Sequence, residues 1–269
     1  MEKYINAIYN FIDEMGYLTN PHVLGVFFYG SYLTGLNHKN SDIDLHVVFD
    51  NSNKNHLIRG VKYIEGLKIE YFEKPIIDLY ESIENDFENR NVAWLSILGT
   101  SKIIFDKTGE LKHLQECTIN RFNEPLPKLD TETAKEYVSI INNKIEKLEK
   151  CLNDNSPNFI HLYHLTLEKI RKFYHSFNGL ALVQTSKVYR VYTDKEYRES
   201  YSSYDIPEQE FVDMYLDAIT DIDSSLEVKL EKVKNIFNYV KRDIDLGKEY
   251  RILIKSRNNQ KDKKGLSGN

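Results

Sequence analysis

Two aspartates separated by one residue, Asp42 and Asp44, carry the clearest chemical signal in this 269-residue sequence. In an extended strand alternate side chains lie on the same face, so both carboxylates project together while Ile43 faces the core. Carboxylates this close repel each other and are stabilised by a shared cation. Mg²⁺ suits such oxygen ligands and keeps coordination positions for water and substrate phosphates. The pair therefore predicts a metal site that acts on phosphates.

A Gly-Ser pair precedes the aspartates and extends the pattern. Gly30 follows an apolar run over 23–29, and it allows a backbone turn to approach a phosphate without a Cβ in the way. Ser31 can offer its hydroxyl and its N–H to phosphate oxygens. Glu70 lies in an alternating segment and joins the aspartates if that segment pairs beside theirs. Three carboxylates can hold two metal ions and support in-line displacement at phosphorus.

Each of these signals also has an ordinary structural interpretation. Charged residues are common on exposed strand edges, and Gly-Ser is a frequent turn dipeptide. Their combination after a buried strand, with Glu70 downstream, favours the catalytic interpretation. His46 shares the predicted face of the aspartates, and we expect it to neighbour the site rather than to contact substrate. Trp94, on an apolar helix, is expected in the core.

The elements that must position these residues can be predicted from periodicity and turn signals. Apolar spacing predicts a helix over 3–15, a buried strand over 23–29 and a second strand over 42–49, with a polar loop over 31–41. Glu65-Gly66 between two strand-like segments indicates a hairpin. The remaining predicted elements of this half are a helix over 76–88, a strand over 102–105 and a helix over 110–117. Such interleaving is typical of a mixed α and β sheet domain.

The second half of the chain differs in character. Beyond the linker Pro125-Leu126-Pro127, strand signals are almost absent and apolar residues recur at helical spacing. We therefore predict an α+β domain with a mixed sheet over 1–125, followed by an all-α helical-bundle domain over 126–254. The polar, basic segment 255–269 is expected to be a disordered tail.

Composition restricts the partners. The chain carries 36 Lys and Arg against 41 Asp and Glu, a net charge of −5, which argues against a broad basic face for duplex nucleic acid. Two cysteines are too few for a disulfide scaffold. The sequence shows no signal peptide and no apolar run long enough for a membrane span. We expect a cytoplasmic protein with no membrane partner.

The residues Gly30-Ser31, Gly35, 41–45 and Glu70 resemble the signature of the DNA polymerase beta-like nucleotidyltransferase superfamily. The two-part layout is similar to that of the aminoglycoside (kanamycin-type) and lincosamide nucleotidyltransferases. The resemblance covers residues 20–110, and beyond residue 125 it extends only to helical content. It implies that the Gly-Ser pair binds the phosphates of ATP or another NTP.

The same resemblance implies roles for further residues. Asp42, Asp44 and Glu70 would bind Mg²⁺, two ions in all, and act as the catalytic carboxylates. Lys187 resembles the lysine that many such enzymes aim at the triphosphate, and a solvent-exposed surface lysine is the alternative. A helical-domain Glu can act as general base in the antibiotic-modifying relatives. Here Glu136 and Glu168 are the candidates, and each has the simpler interpretation of a helix-surface carboxylate.

The implied reaction moves a nucleoside monophosphate, AMP from ATP, to a hydroxyl of a small molecule and releases pyrophosphate. An acceptor such as an aminoglycoside antibiotic fits the acidic chain, because a negative cleft steers a cationic ligand. A homodimer is expected by analogy with the kanamycin enzyme.

Two alternatives stay open. One is a toxin-like enzyme that modifies a tRNA end or a protein. It would require a basic groove, for which the available residues are Lys169, Arg171, Lys172, Lys187 and Arg190. The other is a degenerate domain that binds nucleotide as a regulator, which the presence of all three carboxylates disfavours.

Overall fold

A computed structural model of the chain describes residues 2–52, 56–201, 205–242 and 244. By packing, these residues form two compact units: the first comprises 1–128 with 174–216, and the second comprises 129–173 with the described residues from 217 onward. The domain limits at 125 and 254 stay a prediction. The predicted tail over 255–269 lies outside the described residues.

The strands of the first unit are β1 (Val23–Tyr29), β2 (Ile43–Phe49), β3 (Ile58–Ile64), β4 (Leu67–Pro75) and β5 (Lys102–Asp106). They form a five-stranded sheet in the order β3-β4-β2-β1-β5. β2 and β4 run parallel, whereas the other neighbouring pairs are antiparallel. The predicted mixed sheet is thus confirmed.

The helices are, in chain order, α1 (Glu2–Glu14), α2 (Ser31–Thr34), α3 (Ile76–Glu88), α4 (Ala93–Thr100), α5 (Glu110–Phe122), α6 (Thr131–Asn153), α7 (Phe159–Asn178), α8 (Val188–Thr193), α9 (Lys195–Ser200), α10 (Gln209–Thr220) and α11 (Leu226–Val240). A single 3₁₀ turn over Thr185–Lys187 precedes α8. The combination of a five-stranded sheet with many helices agrees with the predicted fold class.

The sheet is covered on both faces. Leu45 and Val47 of β2 pack in one cluster with α1, while Val48 of β2 and Phe27 of β1 pack in another with α3, α4 and α5. Burial on both faces explains why β1 reads as an almost continuous apolar run. It also means that Asp44, on the face that α4 covers, needs an opening at the end of its strand.

Two local features of the first unit bear on the predictions. The hairpin between β3 and β4 turns at Glu65 and Gly66, whose φ angles of 51° and 80° are both left-handed, as a two-residue hairpin requires. The segment predicted as a polar loop over 31–41 instead begins with the four-residue helix α2. Four residues are too few to show helical periodicity, so this helix could not be predicted from the sequence.

The second unit is built from helices among its described residues. Asp130 accepts a hydrogen bond from the Thr133 N–H at 2.8 Å and caps the start of α6. Ser225 caps α11 in the same way. Lys234 of α11 forms an ion pair with Glu149 of α6 at 2.8 Å. No helix in the described part of the chain is both long and apolar enough to span a membrane.

Candidate active site

Three neighbouring strands bring the predicted carboxylates together. Asp44 of β2 lies opposite Tyr29 of β1 on one side and opposite Glu70 of β4 on the other. The pairing on which Glu70 depended is therefore present. Asp42 precedes β2 and lies two residues from Asp44. Gly30 follows Tyr29 directly, so the Gly-Ser turn begins beside Asp44.

Gly30 is adapted to Asp44 itself. Its φ of 83° is left-handed, and a Cβ built there would lie 2.1 Å from the Asp44 Oδ2 atom. Any other residue would therefore be strained and would displace the carboxylate. The sequence analysis explains Gly30 by the close approach of a phosphate to the backbone turn. Contacts of Gly30 and Ser31 with phosphate stay a prediction, while the structure gives the glycine a second reason.

The carboxylates influence one another electrostatically. Burial, together with the negative charges of Glu70 and Asp42, raises the pKa of Asp44 from its ordinary value of 3.8 to about 7. The positive charges of Lys187 and Lys68 oppose this shift. A buried carboxylate with two acidic neighbours is costly to ionise, and a bound cation would relieve that cost.

Two basic residues that the sequence analysis missed are paired with these acids. Lys68 Nζ lies 2.6 Å from Asp42 Oδ2, and Arg59 Nε donates to Glu70 Oε1 at 2.7 Å. Lys68 could have been found because it lies two residues before Glu70, on the same face of one strand. Arg59 could be found only once the register of the β3–β4 hairpin is known.

The metal assignment is tested by the donor set. Within the described ranges, no group of three or more His, Cys, Asp or Glu side chains is gathered as a ready metal site, and Asp42 and Glu70 are paired with basic residues. The chemistry nevertheless fits a hard cation, because three carboxylates carry charges that act on each other. The metal role of Asp42, Asp44 and Glu70 stays a prediction.

A cavity of about 450 Å³ opens beside Asp44. Aromatic side chains form much of its wall, and Asp44 and Lys187 bring opposite charges to it. The aromatic residues are Tyr29, Trp94, Tyr197 and Tyr201. A cavity of this size, with apolar walls and a few charged groups, is typical of a small-molecule site.

Lys187 is brought to the site that the resemblance assigned to it. It lines the same cavity as Asp44, and its positive charge acts on Asp44. It is exposed and is the last residue of the 3₁₀ turn that precedes α8. The structure thus places a cation opposite the carboxylates, while contact with a triphosphate stays a prediction.

Trp94 lies in the wall of this cavity, and His46 lies next to Trp94. Trp94 is half-buried, packs against the core cluster of α3, α4 and α5 and also lines the cavity, so the expectation of a core tryptophan is met only in part. His46 is fully buried, with its ring 5.2 Å from that of Trp94 and 6.0 Å from that of Phe72. Burial lowers the pKa of His46 to about 3, so the imidazole is neutral. His46 thus packs against a residue of the cavity wall and is a neighbour of the site.

Of the remaining candidates, Arg190 belongs to the first unit, where it pairs with Asp194 at 3.1 Å, and the others belong to the second unit. Glu168 forms ion pairs with Arg171 at 2.8 Å and with Lys172 at 3.3 Å, and its assignment as general base, like that of Glu136, stays a prediction. Arg171 is fully buried, so it cannot contribute to an exposed basic groove. Lys169 lies over the ring of Tyr137 at 4.0 Å.

Residues 8–108 match the nucleotidyltransferase domain family. These residues contain the Gly-Ser turn, the three carboxylates and all five strands, so the matched region coincides with the sheet. Such a domain supports a transferase activity, implies an NTP substrate and usually requires a divalent metal.

A solved structure is similar to the chain as a whole. It is the crystal structure of a nucleotidyltransferase-like protein from Exiguobacterium sibiricum, which aligns with a TM-score of 0.50 over 89% of this chain and 74% of that one. The two sequences are 11% identical, so the likeness concerns the fold. A comparison with curated proteins gave no significant match.

Proposed function

We propose that this protein is a metal-dependent nucleotidyltransferase that moves a nucleoside monophosphate, AMP from ATP, to a hydroxyl group of a small molecule and releases pyrophosphate. One observation carries the proposal. Asp44 lies between Glu70 and the Gly30 turn, at the end of the sheet where β2 begins. It also lines a cavity whose wall includes Lys187. The candidate metal ligands, the Gly-Ser turn and room for a substrate are thus adjacent.

Asp42, Asp44 and Glu70 would hold Mg²⁺, two ions in the full site. Bound there, the metal would neutralise phosphate charge and lower the pKa of the attacking hydroxyl. Burial and the acidic neighbours of Asp44, which together raise its pKa to about 7, support this role, because a cation compensates the repulsion between the carboxylates.

The chain's own residues supply binding and orientation. Lys187, exposed at the cavity wall, is placed to attract the negative triphosphate. Gly30 and Ser31 would orient the phosphates. Trp94 and the cavity tyrosines offer flat apolar surfaces against which a nucleobase or an acceptor ring can stack, and they exclude water from the reacting groups.

The cavity supports a small acceptor. About 450 Å³ suffices for a nucleotide or a small molecule but not for a folded macromolecule. The net charge of −5 favours a cationic acceptor of the aminoglycoside type, because long-range attraction concentrates it near the site. Burial of Arg171 removes one cation from the groove that a tRNA acceptor would need.

The test is a transfer assay with a matched pair of variants. The protein is incubated with Mg²⁺, with each of the four NTPs labelled at the α-phosphate, and with aminoglycosides, tRNA or a protein mixture as acceptors. We expect label on a small-molecule acceptor with the wild type and with Asp50→Asn, which changes an aspartate just after the opposite end of β2. Asp44→Asn should give none. Label on tRNA or protein instead would assign the macromolecular alternative, and saturable NTP binding without any transfer would indicate a regulator.

A further inference from the structure

Two basic residues of the β3–β4 hairpin each hold one carboxylate of the candidate metal site. Lys68 of β4 pairs with Asp42 at 2.6 Å. Arg59 of β3 pairs with Glu70, with its Nε at 2.7 Å from Oε1. No such basic partner of Asp44 is seen among the described residues. The hairpin therefore carries counter-charges for two of the three acids.

The basic partners lie on the solvent side of these pairs. The side chain of Lys68 is 37% exposed and that of Arg59 is 69% exposed, whereas those of Asp42 and Glu70 are 23% and 16% exposed. Long, exposed side chains can leave an ion pair for water at little cost, since such pairs contribute little stability. The carboxylates, by contrast, are fixed near the ends of paired strands.

We infer that Lys68 and Arg59 are tethered counter-cations, which occupy the carboxylates in the absence of metal and which a divalent ion must displace. This inference rests on the proposed function. A carboxylate oxygen hydrogen-bonded to an ammonium at 2.6 Å cannot present the same lone pair to a metal, so the two cations compete. Lys68 and Arg59 are thus positioning residues that set the metal affinity through Asp42 and Glu70.

Competition predicts a gain on deletion, which structural damage would not produce. Lys68→Ala and Arg59→Ala should each lower the apparent Kd of the metal roughly 2- to 5-fold, as expected for loss of an exposed ion pair. Because the two pairs act on one metal site, the double variant should bind the metal at least as tightly as either single variant, without the two factors having to multiply. Titration of the full chain with Mn²⁺ alone, followed by electron paramagnetic resonance of the free ion, measures this directly.

Lys62→Ala is the matched control. Lys62 lies on β3 three residues after Arg59 and on the opposite face of the hairpin, and its ammonium pairs with Glu14 at 2.8 Å instead of with the site. Its removal changes the net charge equally, and we expect an unchanged Kd. An equal gain in Lys62→Ala would show a long-range charge effect and overturn the inference.

Asp44→Asn separates this inference from the proposed function. If the wild type binds Mn²⁺, Asp44→Asn does not, and Lys68→Ala and Arg59→Ala bind no more tightly than the wild type, the competition is wrong while the metal site stands. If neither the wild type nor the double variant binds Mn²⁺, or if Asp44→Asn binds as well as the wild type, the metal site itself is wrong and the inference falls with it.

Discussion

Asp44 and Glu70 lie directly opposite each other on the parallel strands β2 and β4. Because β2 and β4 run parallel, both residues lie towards the N-terminal ends of their strands, at the same end of the sheet. Residues directly opposite each other also turn their side chains to the same face. Along the sequence, the two acids are separated by the whole of strand β3, which runs antiparallel to β4. Their mutual repulsion, which adds to burial in raising the pKa of Asp44, is a property of the sheet rather than of either segment.

Asp44→Asn tests whether this crowding serves catalysis at the expense of stability. We expect nucleotidyl transfer to fall by more than about 100-fold, since loss of residues that merely support metal ligands costs 10- to 100-fold. The metal-free variant should at the same time unfold at a higher temperature than the wild type at pH 8, because a neutral amide neither pays for buried charge nor repels Glu70. Transfer rates and thermal unfolding by circular dichroism measure the two effects.

Asp50→Asn is the control for the rate measurement, since Asp50 follows the opposite end of β2 and is hydrogen-bonded to Ser52 and His22. It should keep the wild-type rate. Undiminished transfer in Asp44→Asn would contradict the catalytic assignment, whereas a lower unfolding temperature would contradict the repulsion argument alone.

Gly30→Ala tests the close approach of the turn to Asp44. The added Cβ would lie 2.1 Å from the Asp44 carboxylate, and the φ of 83° disfavours any side chain, so we expect a loss of about 1–3 kcal/mol in unfolding free energy. The carboxylate must move aside, and transfer should fall with it. Urea unfolding and transfer rates report the two losses.

Gly109→Ala separates strain from collision. Gly109 has the same φ of 83°, but no atom lies within 4 Å of a Cβ built there. It lies just before α5, away from the carboxylates, so this variant should lose some stability and keep its activity. If both variants lose activity alike, or neither does, the contact between Gly30 and Asp44 has no catalytic meaning.

Trp94 gives a direct signal for binding, because it is the single tryptophan of the chain and it lines the cavity. Addition of an NTP should change its fluorescence saturably, and Lys187→Ala should weaken that binding about tenfold, as for loss of a charged hydrogen bond. Fluorescence titration of the two proteins gives both constants.

Lys195→Ala is the comparison for Lys187→Ala. Lys195 lies in the same segment, is 79% exposed and pairs with Glu199 at 3.5 Å, away from the cavity wall. Its removal should leave NTP binding unchanged. Equal weakening in both variants would reduce the role of Lys187 to general attraction, and a silent Trp94 would place the nucleotide outside this cavity.

The parts of the fold that depend on local signals could be predicted from sequence. The apolar run of β1 and the turn at Glu65-Gly66 are each encoded within a few adjacent residues. Asp42 and Asp44 follow from alternation along one strand. Each of these features required no knowledge of what packs against it.

The parts that depend on distant packing could not be predicted. Arg59 pairs with Glu70 only because of the register between two strands. Lys187 lines the same cavity as Asp44 because residues 174–216 pack with the sheet. The place of Trp94 at the cavity was missed because a short apolar helix does not reveal which of its residues borders a cavity. Sequence patterns show which face is apolar, but not where that face ends.

Asp221 in the second unit should make stability depend on pH. Its carboxylate pairs with Lys232 at 2.7 Å and Lys229 at 3.2 Å, and hydrogen bonding to Lys232, with a further bond from the Ser224 N–H, holds the pKa of Asp221 below its ordinary value of 3.8. The unfolded chain therefore binds the proton first as the pH falls. The ion pairs of Asp221 therefore stabilise the fold at pH values above the unfolded pKa of Asp221. This stabilisation is lost as the pH falls from the unfolded pKa towards the lower pKa of the folded state.

Asp221→Asn should consequently be less stable than the wild type near neutral pH, and the gap should narrow as the pH falls below about 4. Urea unfolding followed by far-ultraviolet circular dichroism measures this gap at each pH. Asp217→Asn is the comparison, because Asp217 pairs with the same Lys232 at 2.9 Å but is 65% exposed, so its loss should matter less. A gap for Asp221→Asn that stays constant from neutral to acid pH would show that its carboxylate contributes packing rather than charge.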